Sequence, residues 1–598
     1  MNLSFDLATL RARYLDRTLT PSLLVEEIIT RTASDTHNVW IHRLSDAALR
    51  EHAAALNTRD PATLPLYGIP FAIKDNIDLA GVPTTAACPA FAFTPTQHAF
   101  VVQQLIDAGA IPIGKTNLDQ FATGLNGTRS PYGACRNAFD PDYVSGGSSS
   151  GSAVAVALGY CSFALGTDTA GSGRVPAMLN NLVGMKPTLG LLSATGVVPA
   201  CRTLDTISLL CLTAADAADV FDVVARNDAS DAYSRSMPAS VALPFGAAGF
   251  RFGVPAATQL EYFGNDAGPA RFAAAVATLE ALGGSKVEID FSPFIDTAQL
   301  LYDGPWVAER YAAIAKFIES QPDQVLPVTS TIINKAKQFD AVATFNSHYR
   351  LQAFKRAAVQ TWQACDLIVM PSAGGHHTIA AMQADPIRLN TQLGYYTNFV
   401  NLMDLSAIAV PAGLQPDGLP FGVTLVAPAF ADHQLMELGA GVQRALSTTL
   451  GATGHALADC DRATREPAGG TIDIAVCGAH MTGLPLNHQL QSRGARFVRA
   501  TTTHACYRFY ALAGGPPHRP GLVRVADDGA AIDVEIWRVP LTAYGSFVAG
   551  IPAPLGIGSV ALCDGTSVQG FLCEAAATIG AKDITHHGSW RAHLAAAA

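Results

Sequence analysis

The sequence predicts an α/β protein in which a mixed β-sheet is covered by helices, followed by a small β-rich unit of the α+β class. Short apolar runs at 69–73 and 110–113 alternate with helical patterns such as 100–108, which is typical of a sheet between helices. Near the C-terminus, residues 521–539 show strand character on both sides of a turn at 527–529, which predicts a hairpin. The 598 residues exceed what one compact core usually holds, so at least two domains are expected.

The elements follow one another in a clear order. Helices are predicted in the first hundred residues, where Thr20 and Pro21 have the pattern of an N-cap followed by proline in the first turn. The alternating sheet pattern begins near residue 66, and it gives way to Asp, Ser and Pro between about 226 and 249. Helical segments return over 266–366, and a strand is predicted at 367–371.

A charged stretch containing Pro and Gly, residues 459–470, predicts a linker. It divides the chain into a large domain at 1–458 and a small domain at 471–598. We expect the chemistry to lie in loops of the large domain, because loops carried by a rigid sheet commonly hold functional residues.

Composition excludes several classes of partner. The formal net charge is -10 and the pI is near 5.9, without a run of Lys or Arg, which argues against nucleic acid as a partner. The most apolar stretch, 152–165, is too short to cross a bilayer, which takes about 20 residues. Residues 1–19 carry Asp6 and Arg11 where a signal peptide needs an unbroken apolar run, so we expect a cytoplasmic protein.

Cysteine and histidine patterns indicate neither disulfides nor metal. The 11 cysteines are scattered and contain no CxxC pair, as expected of buried thiols in a reducing compartment. The histidine pairs at 376–377 and 586–587 are adjacent, and this spacing does not let two imidazoles converge on zinc. We therefore expect no metal and no organic cofactor.

Three segments carry the chemical signal: GIPFAIKDNID around Lys74, VSGGSSSGSAVAVALG around Ser148, and GTDTAGSGRVPA around Ser172. The second and third are turns rich in Gly and Ser, and the second runs directly into a helix of small apolar residues. Backbone N–H groups in such turns remain free to face an anion, which suits a developing oxyanion.

Two other motifs compete for the segment around Ser148. A phosphate-binding P-loop has the spacing of Gly146 and Gly151, but residue 152 is Ser where the phosphate-binding Lys is required. The nucleophile elbow of α/β-hydrolases matches residues 147–151 letter for letter. An elbow needs a hydrophobic strand immediately before it, however, and residues 140–143 are a turn-forming Asp-Pro-Asp-Tyr.

The three segments together resemble the Ser-cisSer-Lys triad segments of the amidase signature family, over roughly residues 1 to 450. Ser148 and Ser172 are 24 residues apart in the family's GGSS and GTD-x-x-GS contexts. The resemblance implies the amidase signature fold, with Ser172 as nucleophile, Ser148 as a bridging serine on a cis peptide, and Lys74 as the base. It also implies an oxyanion hole made by the N–H groups of Thr169, Ala170, Gly171 and Ser172, each good donor contributing about 100- to 1000-fold in rate.

This assignment requires a strongly lowered pKa for Lys74. For this lysine to act as a base at neutral pH, its pKa has to fall by about three units from 10.4, which costs roughly 4 kcal/mol. Burial beside the apolar run 69–73 is the expected cause, whereas Asp75 would oppose the shift if it approached the ammonium. Asp168 and Arg174 are expected to form a structural ion pair that brackets the nucleophile loop.

The substrate is indicated by a narrower resemblance. Ala170 replaces the first glycine of the usual GTD-x-GGS, and GTDTAGSGRVPA, FATGLNGTRSPYG (121–133) and LYDGPWVAERY (301–311) all resemble the allophanate hydrolase branch of the family. By that resemblance Gly124, Tyr302 and Arg310 bind the substrate. Allophanate is a small anion that needs a cation of fork geometry. Without the resemblance, Arg310 would be interpreted as a surface residue and Tyr302 as a core aromatic.

The resemblance also implies a reaction. Ser172 attacks the terminal ureido carbonyl, ammonia leaves, and water releases N-carboxycarbamate, which ends as ammonia and carbon dioxide. Urea breakdown, or biuret and cyanuric acid breakdown, would be the pathway. Two alternatives stay open: an amidase for biuret or aliphatic amides, and a noncatalytic scaffold subunit that resembles an amidase. A neutral substrate would leave Arg310 buried and unpaired, and a scaffold for tRNA would need a basic surface.

The segment CGAHMTGLPLNHQL, 477–490, resembles the C-terminal domain of allophanate hydrolases, which has a γ-glutamylcyclotransferase-like fold. In some relatives this domain is thought to assist decarboxylation of the first product. His480, His488 and Glu535 are the candidate residues for such a site, and a structural role in the assembly of subunits is the alternative. The resemblance also implies a homodimer formed through the amidase part.

Overall fold

A computed structural model describes residues 3–238, 249–457 and 471–597. These residues form two compact units, the larger made of most of the residues up to 457 and the smaller made mainly of residues 471–597. The predicted linker at 459–470 lies outside the described residues, so the domain boundaries remain a prediction.

The larger unit alternates helices and strands along the chain. Its helices are α1 Leu7–Leu15, α2 Pro21–Thr32, α3 Asp46–Asn57, α4 Phe100–Asp107, α5 Ser150–Ala157, α6 Val175–Leu179, α7 Ala214–Val224, α8 Gly268–Ala281, α9 Ser292–Asp303, α10 Trp306–Ser320, α11 Pro327–Asn334, α12 Ala341–Ala364, α13 Ile379–Ala384, α14 Arg388–Leu393, α15 Phe399–Leu402 and α16 Asp432–Leu446. Its strands are β1 Trp40–Arg43, β2 Pro70–Lys74, β3 Ile111–Thr116, β4 Phe163–Asp168, β5 Val183–Lys186, β6 Thr206–Cys211, β7 Phe250–Pro255, β8 Gly284–Ile289, β9 Leu367–Pro371, β10 Leu405–Leu414 and β11 Pro420–Pro428.

These strands form one mixed sheet in the order β1-β3-β2-β4-β6-β5-β10-β11-β9-β7-β8. Strand β2 is parallel to both β3 and β4, whereas β4 is antiparallel to β6. Helix α5 packs against β2 and β4, α7 against β6, and α16 against β10. The predicted mixed sheet covered by helices is confirmed.

Local sequence explains most of these boundaries. Helix α2 begins at Pro21, and the Thr20 side chain accepts a hydrogen bond from the Leu23 N–H at 3.3 Å. The interpretation of 266–366 as helical missed β8, which lies at the edge of the sheet. The alternation in β8 is weak because Lys286 is exposed and only Ile289 is fully buried, so six residues between two helices gave little signal.

Helix α5 explains how the Ser148 segment comes close to the sheet. All eight of its residues are buried, and they are Ser, Gly, Ala and Val. A Cβ at Gly151 would collide with the backbone of Val39 and Asn117, so glycine is required for this close approach. The small side chains therefore let the N-terminal end of α5 lie directly against the carboxyl ends of β2 and β4.

The smaller unit is β-rich. Its strands are β12 Thr471–Val476, β13 Arg496–Thr502, β14 Tyr507–Ala511, β15 Pro520–Arg524, β16 Asp533–Pro540, β17 Leu555–Ala561, β18 Ser567–Cys573 and β19 Lys582–Asp583, and its helices are α17 His488–Gln491, α18 Leu541–Ala549 and α19 Trp590–Ala597. One sheet has the order β13-β16-β12-β18-β17 and a second has β15-β14-β19. The core between them includes Ile474, Tyr507, Phe509 and Ile536.

The predicted hairpin across 527–529 is wrong. Strand β15 pairs with β14, whereas β16 pairs with β12 and β13 in the other sheet. The Asp-Asp-Gly turn is present, with Asp528 at φ 56°, but turn chemistry does not choose the partner strand. Burial of Val534 and Ile536 between β12 and β13 decides the pairing instead.

Candidate active site

The sheet topology brings the three predicted segments to one edge. Strands β2 and β4 are parallel neighbours, with Ile73 opposite Leu165, so their carboxyl ends lie side by side. Lys74 is the last residue of β2, and Ser172 lies in the loop that leads from β4 to α6. Ser148 lies in the turn that leads into α5.

Lys74 and Ser148 are in direct contact. The Lys74 Nζ donates to Ser148 Oγ at 2.7 Å and to Thr167 Oγ1 at 2.7 Å, and all three residues are buried. The peptide bond between Gly147 and Ser148 is cis. Ser172 is 3% exposed, and its hydroxyl has no hydrogen-bond partner within the described residues. Lys74 and Ser148 are thus already paired, whereas the Ser172 hydroxyl accepts and donates no hydrogen bond within the described residues.

The pKa of Lys74 is lowered into the range that a base requires at neutral pH. Burial lowers the pKa of Lys74 to about 7, and the charges of Asp119, Asp205 and Asp168 oppose this shift. Asp75 does not approach the amine, because its carboxylate pairs with Lys115 at 2.9 Å. The neutral amine, which can accept a proton, therefore becomes accessible near pH 7.

The nucleophile loop is held by the ion pair predicted for its two ends. Asp168 and Arg174 are fully buried and form two hydrogen bonds of 2.9 Å. The Asp168 carboxylate also accepts the N–H groups of Gly171 at 2.8 Å and Gly173 at 3.1 Å. The ion pair and these backbone hydrogen bonds therefore hold the loop between β4 and α6 in one conformation.

The same contacts leave three of the four predicted oxyanion-hole N–H groups available. The Gly171 N–H is used by Asp168, whereas the N–H groups of Thr169, Ala170 and Ser172 donate to no acceptor in the described part of the chain. Gly171 has φ +127°, a conformation that side chains disfavour, and a Cβ there would collide with Thr397. Glycine therefore permits the turn that exposes the neighbouring N–H groups.

Sequence reasoning missed three residues that hold this site. Thr167 lies in the GTD motif and shares the Lys74 amine with Ser148. Thr397 Oγ1 donates to the Ala170 carbonyl at 2.7 Å, and Asn401 Nδ2 donates to the Asp168 carbonyl at 2.8 Å. The motif around Thr167 was a usable signal, whereas the other two residues lie more than two hundred positions away and only the fold reveals them.

The residues predicted to bind substrate lie beside this loop. Arg310 on α10 is 2% exposed, and its guanidinium lies 5.6 Å from the centre of the Tyr302 ring. Tyr302 is half-buried and packs against the cluster that contains Ala170. Gly124 is buried, and a Cβ there would meet the Asp119 carboxylate at 2.5 Å. This burial contradicts the interpretation of Arg310 as a surface arginine, and no described carboxylate forms an ion pair with it.

The candidate residues of the smaller unit do not converge. Glu535 accepts hydrogen bonds from the Thr482 N–H at 2.7 Å and Trp537 Nε1 at 3.1 Å, and it pairs with Arg591 at 2.9 Å. His488 is exposed. Only His480 of the three lines the pocket found in this unit, where it stacks on Phe571 at 5.1 Å. The structure therefore favours a structural role for Glu535, because its carboxylate is already satisfied.

The described residues contain no group of three or more side chains suited to hold a metal ion. Among them there is also no helix that is long and apolar enough to cross a membrane.

Two family models match this chain: the amidase model over residues 24–436, and the allophanate hydrolase C-terminal domain model over residues 472–595. The chain belongs to the amidase family. The amidase resemblance inferred from the three motifs, and the resemblance of the C-terminal domain, are thereby confirmed.

Individual relatives of this amidase agree with the family models. The urea amidolyase of Saccharomyces cerevisiae is 42% identical over 591 residues, which are 96% of this chain but 32% of the yeast protein. This amidase therefore spans about a third of that relative. The urea amidolyase of Lachancea kluyveri is likewise 42% identical, over 93% of this chain and 31% of its own length. The structure of Kluyveromyces lactis allophanate hydrolase matches with a TM-score of 0.87 and 38% identity over all of both chains.

Proposed function

We propose that this amidase hydrolyses the terminal amide of allophanate through a Ser172 acyl-enzyme. The observation that carries the proposal is the buried contact between Lys74 and Ser148, since it joins an amine of lowered pKa at the end of β2 to the serine of the turn before α5. The similarity to Kluyveromyces lactis allophanate hydrolase over the full chain supports the choice of substrate. So does the buried guanidinium of Arg310, which forms no ion pair within the described residues.

In the first half-reaction, neutral Lys74 takes a proton from Ser148, and Ser148 takes the proton of Ser172. The Ser172 oxygen forms a bond to the terminal ureido carbonyl carbon, and the resulting oxyanion accepts hydrogen bonds from the N–H groups of Thr169, Ala170 and Ser172. The bond from that carbon to the terminal nitrogen then breaks. The leaving nitrogen receives the proton from Ser148, which Lys74 replenishes, and departs as ammonia.

In the second half-reaction, water attacks the same carbon and gives up its proton through Ser148 to Lys74. Collapse returns the proton to Ser172 and releases N-carboxycarbamate. This dicarboxylate then takes up a proton and loses carbon dioxide, and the carbamate that remains ends as ammonia and carbon dioxide. Protonation of Lys74 stops both half-reactions, because an ammonium cannot accept a proton.

Recognition of the substrate carboxylate is assigned to Arg310, Tyr302 and Gly124. A planar guanidinium matches a carboxylate in two parallel hydrogen bonds, and its attraction is strong where water is excluded. Tyr302 can donate its hydroxyl to the same anion, and Gly124 its backbone N–H. A biuret or aliphatic amide substrate offers no charge to pair with Arg310, so the guanidinium argues against an amidase for neutral amides.

A second role is proposed for the smaller unit, namely decarboxylation of the first product. The supporting observation is its pocket, in which His480 and Arg519 lie among the apolar side chains of Phe547 and Phe571. Burial lowers the pKa of His480, so the imidazole stays neutral near pH 7. Arg519 supplies a positive charge suited to a dicarboxylate. A purely structural role in assembly is the alternative.

We also propose that the protein acts in the cytoplasm as a homodimer, within urea breakdown or within biuret and cyanuric acid breakdown. The scattered cysteines without CxxC spacing support a reducing compartment. The urea amidolyase relatives, of which this chain spans about a third, support urea breakdown as the pathway.

The test is ammonia release by the purified protein and its Ser172→Ala variant, with allophanate, malonamate, biuret and urea as substrates at pH 8. We expect release from allophanate that is lost in Ser172→Ala. Undiminished release in the variant would disprove Ser172 as nucleophile. Release from biuret alone would retain the mechanism and replace the substrate, and no release from any substrate would favour the noncatalytic scaffold.

A further inference from the structure

A second arginine is buried beside Arg310. Arg129 is 3% exposed and lies in the loop after β3 that also carries Gly124. Its Nη1 donates to the Thr123 carbonyl at 2.8 Å, and its Nη2 donates to the Pro386 carbonyl at 2.5 Å. The Nε of Arg129 is buried without a partner in the described part of the chain. None of the proposed catalytic steps uses this residue.

Arg129 and Arg310 meet at one residue. Thr123 is fully buried, its carbonyl accepts from Arg129, and its Oγ1 accepts from Arg310 Nη1 at 3.3 Å. Arg310 Nη1 also donates to the Ala122 carbonyl at 3.2 Å. Ala122 and Thr123, which directly precede Gly124, therefore accept hydrogen bonds from two guanidinium groups that come from different parts of the chain.

Neither of these two charges is neutralised by a direct ion pair in the described part of the chain. Among the same residues Arg310 Nε is buried without a partner, like Arg129 Nε. The nearest carboxylate on this loop, Asp119, accepts three backbone N–H groups instead. Burial lowers the pKa of Arg129 and the charge of Arg310 adds to this shift, whereas the Asp119 carboxylate opposes it. An arginine stays charged even so, and two buried like charges are costly unless an anion binds between them.

We propose that Arg129 is a specificity-determining residue of the substrate site, which holds Thr123 and Gly124 in place and makes the site doubly cationic for a carboxylate. The inference rests on the proposed function for the identity of the substrate. It differs from the role of Arg310 because Arg129 acts through the loop and through its charge. Its loss should therefore raise the dissociation constant for a carboxylate and leave that for a neutral amide almost unchanged.

The test is calorimetric binding to the full chain carrying Ser172→Ala, so that bound amides are not turned over. The probes are malonamate, which pairs an amide with a carboxylate, and biuret, which has the same size without the charge. Arg129→Gln should weaken malonamate binding about 10- to 100-fold and change biuret binding less than about twofold. Arg129→Lys should restore part of the loss, because it returns the charge. Arg50→Gln, which removes an exposed arginine paired with Glu26, is the control for net charge.

Equal weakening for both probes would show that Arg129 only supports the fold, and unchanged malonamate binding would also overturn the inference. If Arg129→Gln does not fold, Arg129→Lys decides alone, since selective weakening for malonamate is still required. Binding by the Arg50→Gln control should equal that of the parent. Failure of the wild-type protein to release ammonia from allophanate would refute the proposed function, whereas the malonamate comparison would still test Arg129.

Discussion

The rate of amide hydrolysis should follow the protonation of Lys74. Burial lowers the pKa of Lys74 from 10.5 to about 7, which corresponds to roughly 5 kcal/mol against the charged form. At pH 7 this makes the neutral amine on the order of a thousandfold more abundant than it would be for an exposed lysine. Because the neutral form is the base, kcat/KM should be nearly constant above pH 8 and should fall about tenfold for each pH unit below 6.

The measurement is the initial rate of ammonia release between pH 5.5 and 9, with a blank lacking enzyme at every pH. Lys74→Arg should remain inactive throughout, since a guanidinium does not deprotonate in this range. Lys186→Met is the matched control, because Lys186 is also fully buried but donates to the Leu405 carbonyl at 2.7 Å, away from Ser148. It should keep the inflection near pH 7. A profile that is flat down to pH 5.5, or one that still rises tenfold between pH 8 and 9, would refute the role given to Lys74.

Three further outcomes follow from individual contacts. Thr167→Val removes one of the two acceptors of the Lys74 amine, so the rate should fall about tenfold and the inflection should move below pH 7, as a pH–rate profile would show. Gly171→Ala should destabilise the larger unit by about 2 to 4 kcal/mol in urea unfolding, since φ is +127° and the new Cβ would displace Thr397. Glu535→Gln should destabilise the smaller unit by about 1 to 3 kcal/mol in thermal unfolding without altering ammonia release by Ser172.

Matched variants separate these causes from nonspecific damage. Thr167→Ser keeps the hydroxyl and should retain most of the rate, so a loss as large as that of the valine variant would contradict the hydrogen-bond argument. Gly418→Ala also places a side chain at positive φ, but in open space, and it should cost about 1 kcal/mol. Glu574→Gln changes an exposed carboxylate and should leave the melting temperature unchanged, and equal effects at both glutamates would refute the role of Glu535.

Much of the fold could be predicted from periodicity, because alternating apolar runs and helical patterns are local features of the chain. The strand at 367–371 and the helix starting at Pro21 were both identified in this way. The partner strands of β15 and β16 could not be predicted in this way. Burial against distant strands selects these partners, rather than the turn between β15 and β16. The weak pattern of β8 was overlooked for a related reason, since an edge strand buries few side chains.

The sequence by itself indicated Lys74, Ser148 and Ser172 as the centre of the candidate site, because they lie in contiguous motifs whose order and composition can be recognised one by one. It also indicated the helix of small residues that follows Ser148. Only the tertiary structure decided how these residues behave. The lowered pKa of Lys74 is caused by complete burial. Arg129 and Arg310 both donate hydrogen bonds to Thr123, and these contacts join residues up to 187 positions apart. Desolvation and contacts of this kind depend on distances through space, which the order of residues along the chain does not contain.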